Sequence, residues 1–95
     1  MNIQNLIQMG QQMQSQMSQI QKTLGSKEVS ASSGGGMVTA VVDGKGAVKS
    51  VSIDSTVVDP GDVEMLEDLI LAAVSEAQSQ ARGIYESEMK KVTGG

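Results

Sequence analysis

The sequence predicts an α+β fold ordered α-β-β-β-α, with a three-stranded antiparallel meander between two long helices. Three observations carry it. Residues 2–24 place apolar side chains at heptad spacing. Two glycine turns, at residues 32–36 and 43–46, cut the following stretch into three short runs with many β-branched residues. Asp59-Pro60-Gly61-Asp62 then opens a stripe of helical period that reaches Val92. The 95 residues fit one domain, 1–95.

In the first helix, read over 2–24, the seam is Ile3, Leu6, Met13, Met17, Ile20 and Leu24, with Gly10 in the open slot. These positions alternate three and four apart, as in a coiled-coil heptad. Ile7 and Met9 widen the stripe near its start. Eight glutamines between Gln4 and Gln21 fill much of the rest, and glutamine is a good helix former. Lys22 is the sole side-chain charge here, and Gly25 is expected to stop the helix.

Strands are expected at about 26–32, 37–42 and 47–53. Val29 and Ala31 alternate with Glu28 and Ser30 in the first. Met37 to Val42 is an apolar run in the second. The Asp43-Gly44 pair before the third is a strong hairpin signal. Two hairpins in succession make the middle strand central. The glycines at 34–36 read as a turn and not a phosphate cradle, because no Gly-Lys-Ser/Thr follows and no helix begins there.

The second helix is read over about 62–92. Asp59 suits the N-cap and Pro60 the first helical position, while Asp62 favours the positive end of the macrodipole. Gly61, a poor helix former, defers regular helix to Asp62. Its stripe is Val63, Leu66, Leu69, Ile70, Ala73, Val74, Ala77, Ala81 and Ile84, continuing weakly to Met89 and Val92. Lys90 and Lys91 sit where a helix C-terminus favours cations. Thr93-Gly94-Gly95 is expected to fray.

Composition excludes much chemistry. There is no cysteine and no histidine, so disulfides, thiolate metal sites and imidazole catalysis are absent. Glu64, Glu67 and Asp68 share one helix face but read as a solvated acidic face at a helix start and not as metal ligands. No carboxylate pair is marked as an acid and base of divergent pKa. The expectation is therefore no enzyme, no metal, no cofactor and no small-molecule substrate. Tyr85 is the single aromatic residue, too few for a base-stacking platform. No signal peptide or membrane span is visible, so a cytoplasmic location is expected.

The predicted helices, about 35 and 45 Å long at the standard rise, outreach strands of about 20–23 Å. Their apolar stripes would leave a patch that soluble monomers seldom tolerate. The central strand puts Met37, Thr39 and Val41 on one face and Val38, Ala40 and Val42 on the other, both largely apolar. One helix layer covers one face, so a second copy is expected on the rest. The expected interface is Leu6, Met13, Met17 and Ile20 of the first helix with Val38, Ala40 and Val42 of the sheet. Two-fold symmetry is the usual solution.

Net charge is −4, unevenly spread. Residues 54–76 carry seven acids and no base; the remainder carries seven bases and four acids, a balance of +3. The bases are Lys22, Lys27, Lys45, Lys49, Arg82, Lys90 and Lys91. Lys22 and Lys27 flank the end of the first helix, and Arg82, Lys90 and Lys91 occupy the distal half of the second. These five are the candidates for DNA phosphate contacts.

Four segments together resemble the YbaB/EbfC family of bacterial nucleoid-associated proteins. They are Met9-Gly10-Gln11-Gln12-Met13-Gln14, the glycine turn leading into Met37-Val38, the strand exit Val51-Ser52-Ile53-Asp54, and Glu64-Met65-Leu66-Glu67-Asp68-Leu69 followed by the alanines Ala72, Ala73 and Ala77. The resemblance runs over nearly the whole chain. It implies the α-β-β-β-α fold, a tight homodimer whose helices project like tweezer arms, DNA binding and a nucleoid location. The leading expectation is a homodimer that binds double-stranded DNA with little sequence specificity and organises the nucleoid. Where family members often carry Lys and Glu on the first helix, this chain has Gln. The competing expectation is a protein–protein adaptor that docks a partner on the Met-rich helix (Met1, Met9, Met13, Met17) and the acidic zone.

Overall fold

The computed structural model describes residues 2–92; Met1 and the three terminal residues expected to fray lie outside them. The element order is α1 (Ile3–Ser26), β1 (Glu28–Ser33), β2 (Val38–Asp43), β3 (Val48–Ile53), a 3₁₀ turn (Ser55–Val57) and α2 (Val63–Val92). The strands form one antiparallel sheet in the order β1-β2-β3. The predicted class and topology hold, with boundaries shifted by one or two residues.

The first shift is at the end of α1. Asn2 caps its start, its side chain accepting from the Gln4 N–H at 3.2 Å. Gly25 does not stop the helix, which runs on to Ser26 and gives way to extended backbone at Lys27. A positive φ is not needed there, because the chain passes directly into β1. The second shift is at the start of α2. Asp59 accepts from the Gly61 N–H at 2.9 Å and so closes a turn before the helix. Asp62 accepts from the Met65 N–H at 3.2 Å, which makes Asp62 the cap.

The two hairpins differ. In the first, Gly34, Gly35 and Gly36 all have positive φ, where side-chain-bearing residues are strained. In the second, the positive φ falls at Gly46 and not within the Asp-Gly pair. Asp43 organises that turn, its carboxylate accepting from the Lys45 N–H at 2.8 Å and the Ala47 N–H at 3.0 Å. A bulge between Val41 and Val42 accompanies it.

α2 packs across β1 and β2. Ala73, Ala77 and Ala81 recur every four residues on the face turned to Val29, Ala31, Val38, Ala40 and Val42, and all of these are buried. Alanine lets the helix axis approach the sheet closely. The core is correspondingly thin: five of its nine buried apolar residues are alanines, and only each larger side chain contributes about 1.5–3 kcal/mol.

This packing corrects one expectation. Val38, Ala40 and Val42 are completely buried inside the protomer, so their side chains cannot meet a second copy. The far face of the sheet is not apolar either. Register places Ser30 and Ser50 beside Val41, and Ser32 and Ser52 beside Thr39. The Ser32 and Thr39 hydroxyls bond each other at 3.0 Å. The uncovered apolar surface lies instead on β3. Val51 and Ile53 pair with Ala40 and Val38 and so share the face that α2 covers. α2 stops short of them, and both remain about 40 % exposed.

α1 barely joins this core. Leu24 is fully buried, and the Gly44 N–H donates to the Leu24 carbonyl at 2.8 Å. Met17 and Ile20 are half-buried, whereas Ile3, Leu6, Ile7, Met9 and Met13 are exposed. α1 therefore projects as an arm, and the molecule measures 69 × 20 × 16 Å.

Candidate nucleic-acid interface

The sheet has two ends of different character. At the Gly34–Gly36 end, the Asp54 N–H donates to the Met37 carbonyl at 2.8 Å, and the Ser33 hydroxyl donates to the Leu69 carbonyl. These bonds fix the 3₁₀ turn and the start of α2 there, with Asp54, Asp59, Asp62, Glu64, Glu67 and Asp68. At the other end, the Gly44 bond to Leu24 holds the last turn of α1, and the Gln78 amide donates to the Gly46 carbonyl at 2.9 Å. α2 runs from the first end to the second and beyond.

All seven Lys and Arg residues lie toward the second end. Strands of six residues separate the two ends by about 20 Å. At physiological salt, exposed charges are screened beyond about 8 Å. The acidic zone therefore does little to the potential at the cationic end, and the net charge of −4 describes neither end.

The five candidate phosphate ligands are exposed and occupy this end, but they do not form one cluster. Lys22 and Lys27 bracket the α1 terminus. Lys91 lines a cleft of about 340 Å³ between α1 and α2, with Gln16, Gln19, Thr23 and Glu88, and its ammonium lies 3.2 Å from the Glu88 carboxylate. Lys90 lies beside it on the last turn. Arg82 faces a different recess, lined by Lys45, Tyr85, Gln21 and Gln78. Lys45 is not one of the five candidates, since in sequence a lone turn lysine looks like any solvated charge. Its place in one recess with Arg82 arises only from α2 crossing the hairpin.

Lys49 is the remaining base. It pairs with Glu28 at 3.4 Å in an exposed contact, which contributes little to stability. Among the described residues no group of three carboxylates could hold a metal ion, and Glu64, Glu67 and Asp68 lie exposed on early turns of α2. Among the same residues no helix is long and apolar enough to cross a membrane.

Asp43 links the turn to acidity. The bond from the Ala47 N–H holds its carboxyl below the ordinary 3.8, against some desolvation, with further help from the Lys45 N–H and the Lys45 and Lys49 ammoniums. A depressed carboxyl stabilises the fold above its unfolded pKa and loses that contribution as pH falls through the folded value. The turn should therefore be unaffected by pH above about 5 and loosen below about 4. Amide exchange at Lys45 and Ala47 followed across that window should accelerate in the native chain and be pH-flat, after intrinsic correction, in Asp43→Asn.

The sequence pattern of the YbaB/EbfC DNA-binding family matches residues 1–95. A nucleoid-associated protein of Acetivibrio thermocellus is 50% identical over 94 residues, covering 99% of this chain and 83% of that protein. The nucleoid-associated protein NT01CX_0824 of Clostridium novyi is 52% identical over 95 residues, covering 100% of this chain and 83% of that protein. The crystal structure of an uncharacterized protein, HP0035, from Helicobacter pylori is similar in fold. It has a TM-score of 0.88 at 19% identity, covering 98% of both chains.

Proposed function

The chain belongs to the YbaB/EbfC DNA-binding family, and from that premise we propose that it binds double-stranded DNA as a homodimer, with little sequence specificity, at the bacterial nucleoid. The observation that carries this reading is the gathering of every Lys and Arg at and beyond the α1 end of the sheet, away from the acidic zone. Lys22, Lys27, Arg82, Lys90 and Lys91 are the proposed phosphate contacts. They are cations on projecting surfaces, which position a protein on the duplex without reading bases.

The homodimer is supported by apolar surface that one protomer leaves uncovered: Val48, Val51 and Ile53 on β3, and the α1 arm with Leu6 and Met13. Met17 and Ile20 extend the arm's apolar seam toward α2. A thin core in so small a domain gains from such association.

The test is a mobility-shift titration on random-sequence duplex across a salt series. Affinity should fall steeply with salt, because phosphate contacts release counterions. Lys22→Ala with Lys27→Ala should flatten the log–log slope by about 2 per protomer engaged, close to one for each phosphate no longer neutralised. No binding at 50 mM salt would overturn the reading.

A further inference from the structure

Arg82 and Lys45 both line a recess at the cationic end of the sheet. Its volume is about 450 Å³, and its remaining side chains are Gln21, Gln78 and Tyr85. We propose that this recess is a preformed seat for one phosphate of the DNA backbone, an inference that rests on the DNA-binding reading above.

The seat is assembled from three elements, each rigidly tied to the next. The last turn of α1 brings Gln21, the β2–β3 turn brings Lys45, and the middle of α2 brings Gln78, Arg82 and Tyr85. Gly44 locks α1 to the turn, because its backbone N–H bonds Leu24. Gln78 locks the turn to α2 through the Gly46 carbonyl. Lys45 is itself placed: the end of its side chain runs beside Gly25, about 3.8 Å from where a Cβ would stand there. That puts the ammonium at the C-terminal turn of α1, where the helix dipole favours a cation.

The lining suits a phosphodiester. It offers two cations, a phenol and two carboxamides. The neighbouring carboxylate, Asp43, lies outside the lining and is tied to the turn N–H groups of Lys45 and Ala47, so the recess itself presents cations and neutral donors to an anion. The guanidinium fork matches phosphate oxygens and stays charged at any working pH. The single aromatic residue of the chain, Tyr85, also lines it, and a phenol can donate to an ester or phosphoryl oxygen. The recess is larger than a phosphate group, which leaves room for the flanking sugars.

The experiment compares wild type, Lys45→Gln/Arg82→Gln and Arg82→Lys in the full chain. All three are titrated on one random duplex from 50 to 300 mM salt. Both substituted side chains are exposed, so equal melting curves are expected. The double variant should bind about tenfold more weakly near 0.1 M salt and show a slope shallower by about 1 for each seat engaged. Arg82→Lys should keep the slope and lose part of the affinity, since it keeps the charge but not the fork. A double variant with unchanged affinity and slope, beside wild type that binds, overturns the seat alone. Absence of wild-type binding overturns the DNA reading and the seat with it. Inorganic phosphate offers the same chemistry from another source. If it shifts the amide resonances of residues 44–46 in wild type and not in the double variant, while DNA titrations coincide, the seat belongs to free phosphate and the backbone assignment falls.

Discussion

Gly44→Ala should cost about 3 kcal/mol and lower the melting temperature by roughly 12–24 °C in a domain of this size. The position needs no special φ; it needs space. A Cβ there would lie 2.6 Å from the Leu24 carbonyl oxygen and 3.0 Å from the Leu24 Cα. Both are backbone atoms, so no side chain can swing aside. The turn must move off α1, and two losses follow. The bond from the Gly44 N–H to Leu24, now 2.8 Å, breaks with Gly44 itself buried, a loss of about 1–3 kcal/mol. Leu24, fully buried beside this bond, is partly uncovered; complete burial of such a side chain contributes about 1.5–3 kcal/mol. Thermal unfolding followed by circular dichroism measures the sum. Gly35→Ala is the internal control, since a Cβ there meets nothing within 4 Å and only its positive φ resists. It should cost about 1–2 kcal/mol. Equal melting temperatures for the two variants would show that α1 is not anchored through Gly44.

The α1 anchor also marks where sequence alone stops being informative. The heptad seam makes α1 visible, because six apolar positions at alternating three and four spacing need no tertiary information. The turn chemistry at residues 34–36 and at Asp43 is legible for the same local reason. The seam cannot reveal that only Leu24 enters the core and that Leu6 and Met13 stand free. Nor can alternation in β2 decide which face α2 takes. Val38 and Met37 are equally apolar, and the choice rests on the serines of β1 and β3 lying on the far side. That pattern is readable only once register is known. Gly25 resembles a helix stop because glycine usually is one, yet a direct passage into β1 removes the need for a left-handed residue. Lys45 and Arg82 are distant in sequence, so only the crossing of α2 over the hairpin unites them.

Val51→Lys with Ile53→Lys should convert the proposed dimer to a folded monomer and weaken DNA binding by about 10²–10⁴-fold. The two side chains lie on the core-facing side of β3, beyond the reach of α2, and are about 40 % exposed in the protomer. Lysine can extend its ammonium to solvent there while its stem lies along the sheet, so the protomer fold should survive. Lysine on an exposed edge strand is also a standard obstacle to strand-mediated association. In the dimer the same positions become buried, and two unpaired cations per chain, facing their symmetry mates, oppose association strongly. The DNA effect follows from geometry and not from charge. Lysine adds positive charge, which by itself strengthens phosphate attraction. A fall in affinity therefore reports the loss of the second, linked set of cations. Analytical ultracentrifugation gives the mass, circular dichroism the fold, and duplex titration the affinity. A variant that stays dimeric would move the interface off β3 and onto the α1 seam, where Leu6, Met13, Met17 and Ile20 lie. A monomer that binds as tightly as wild type would mean that one cationic end suffices for the duplex.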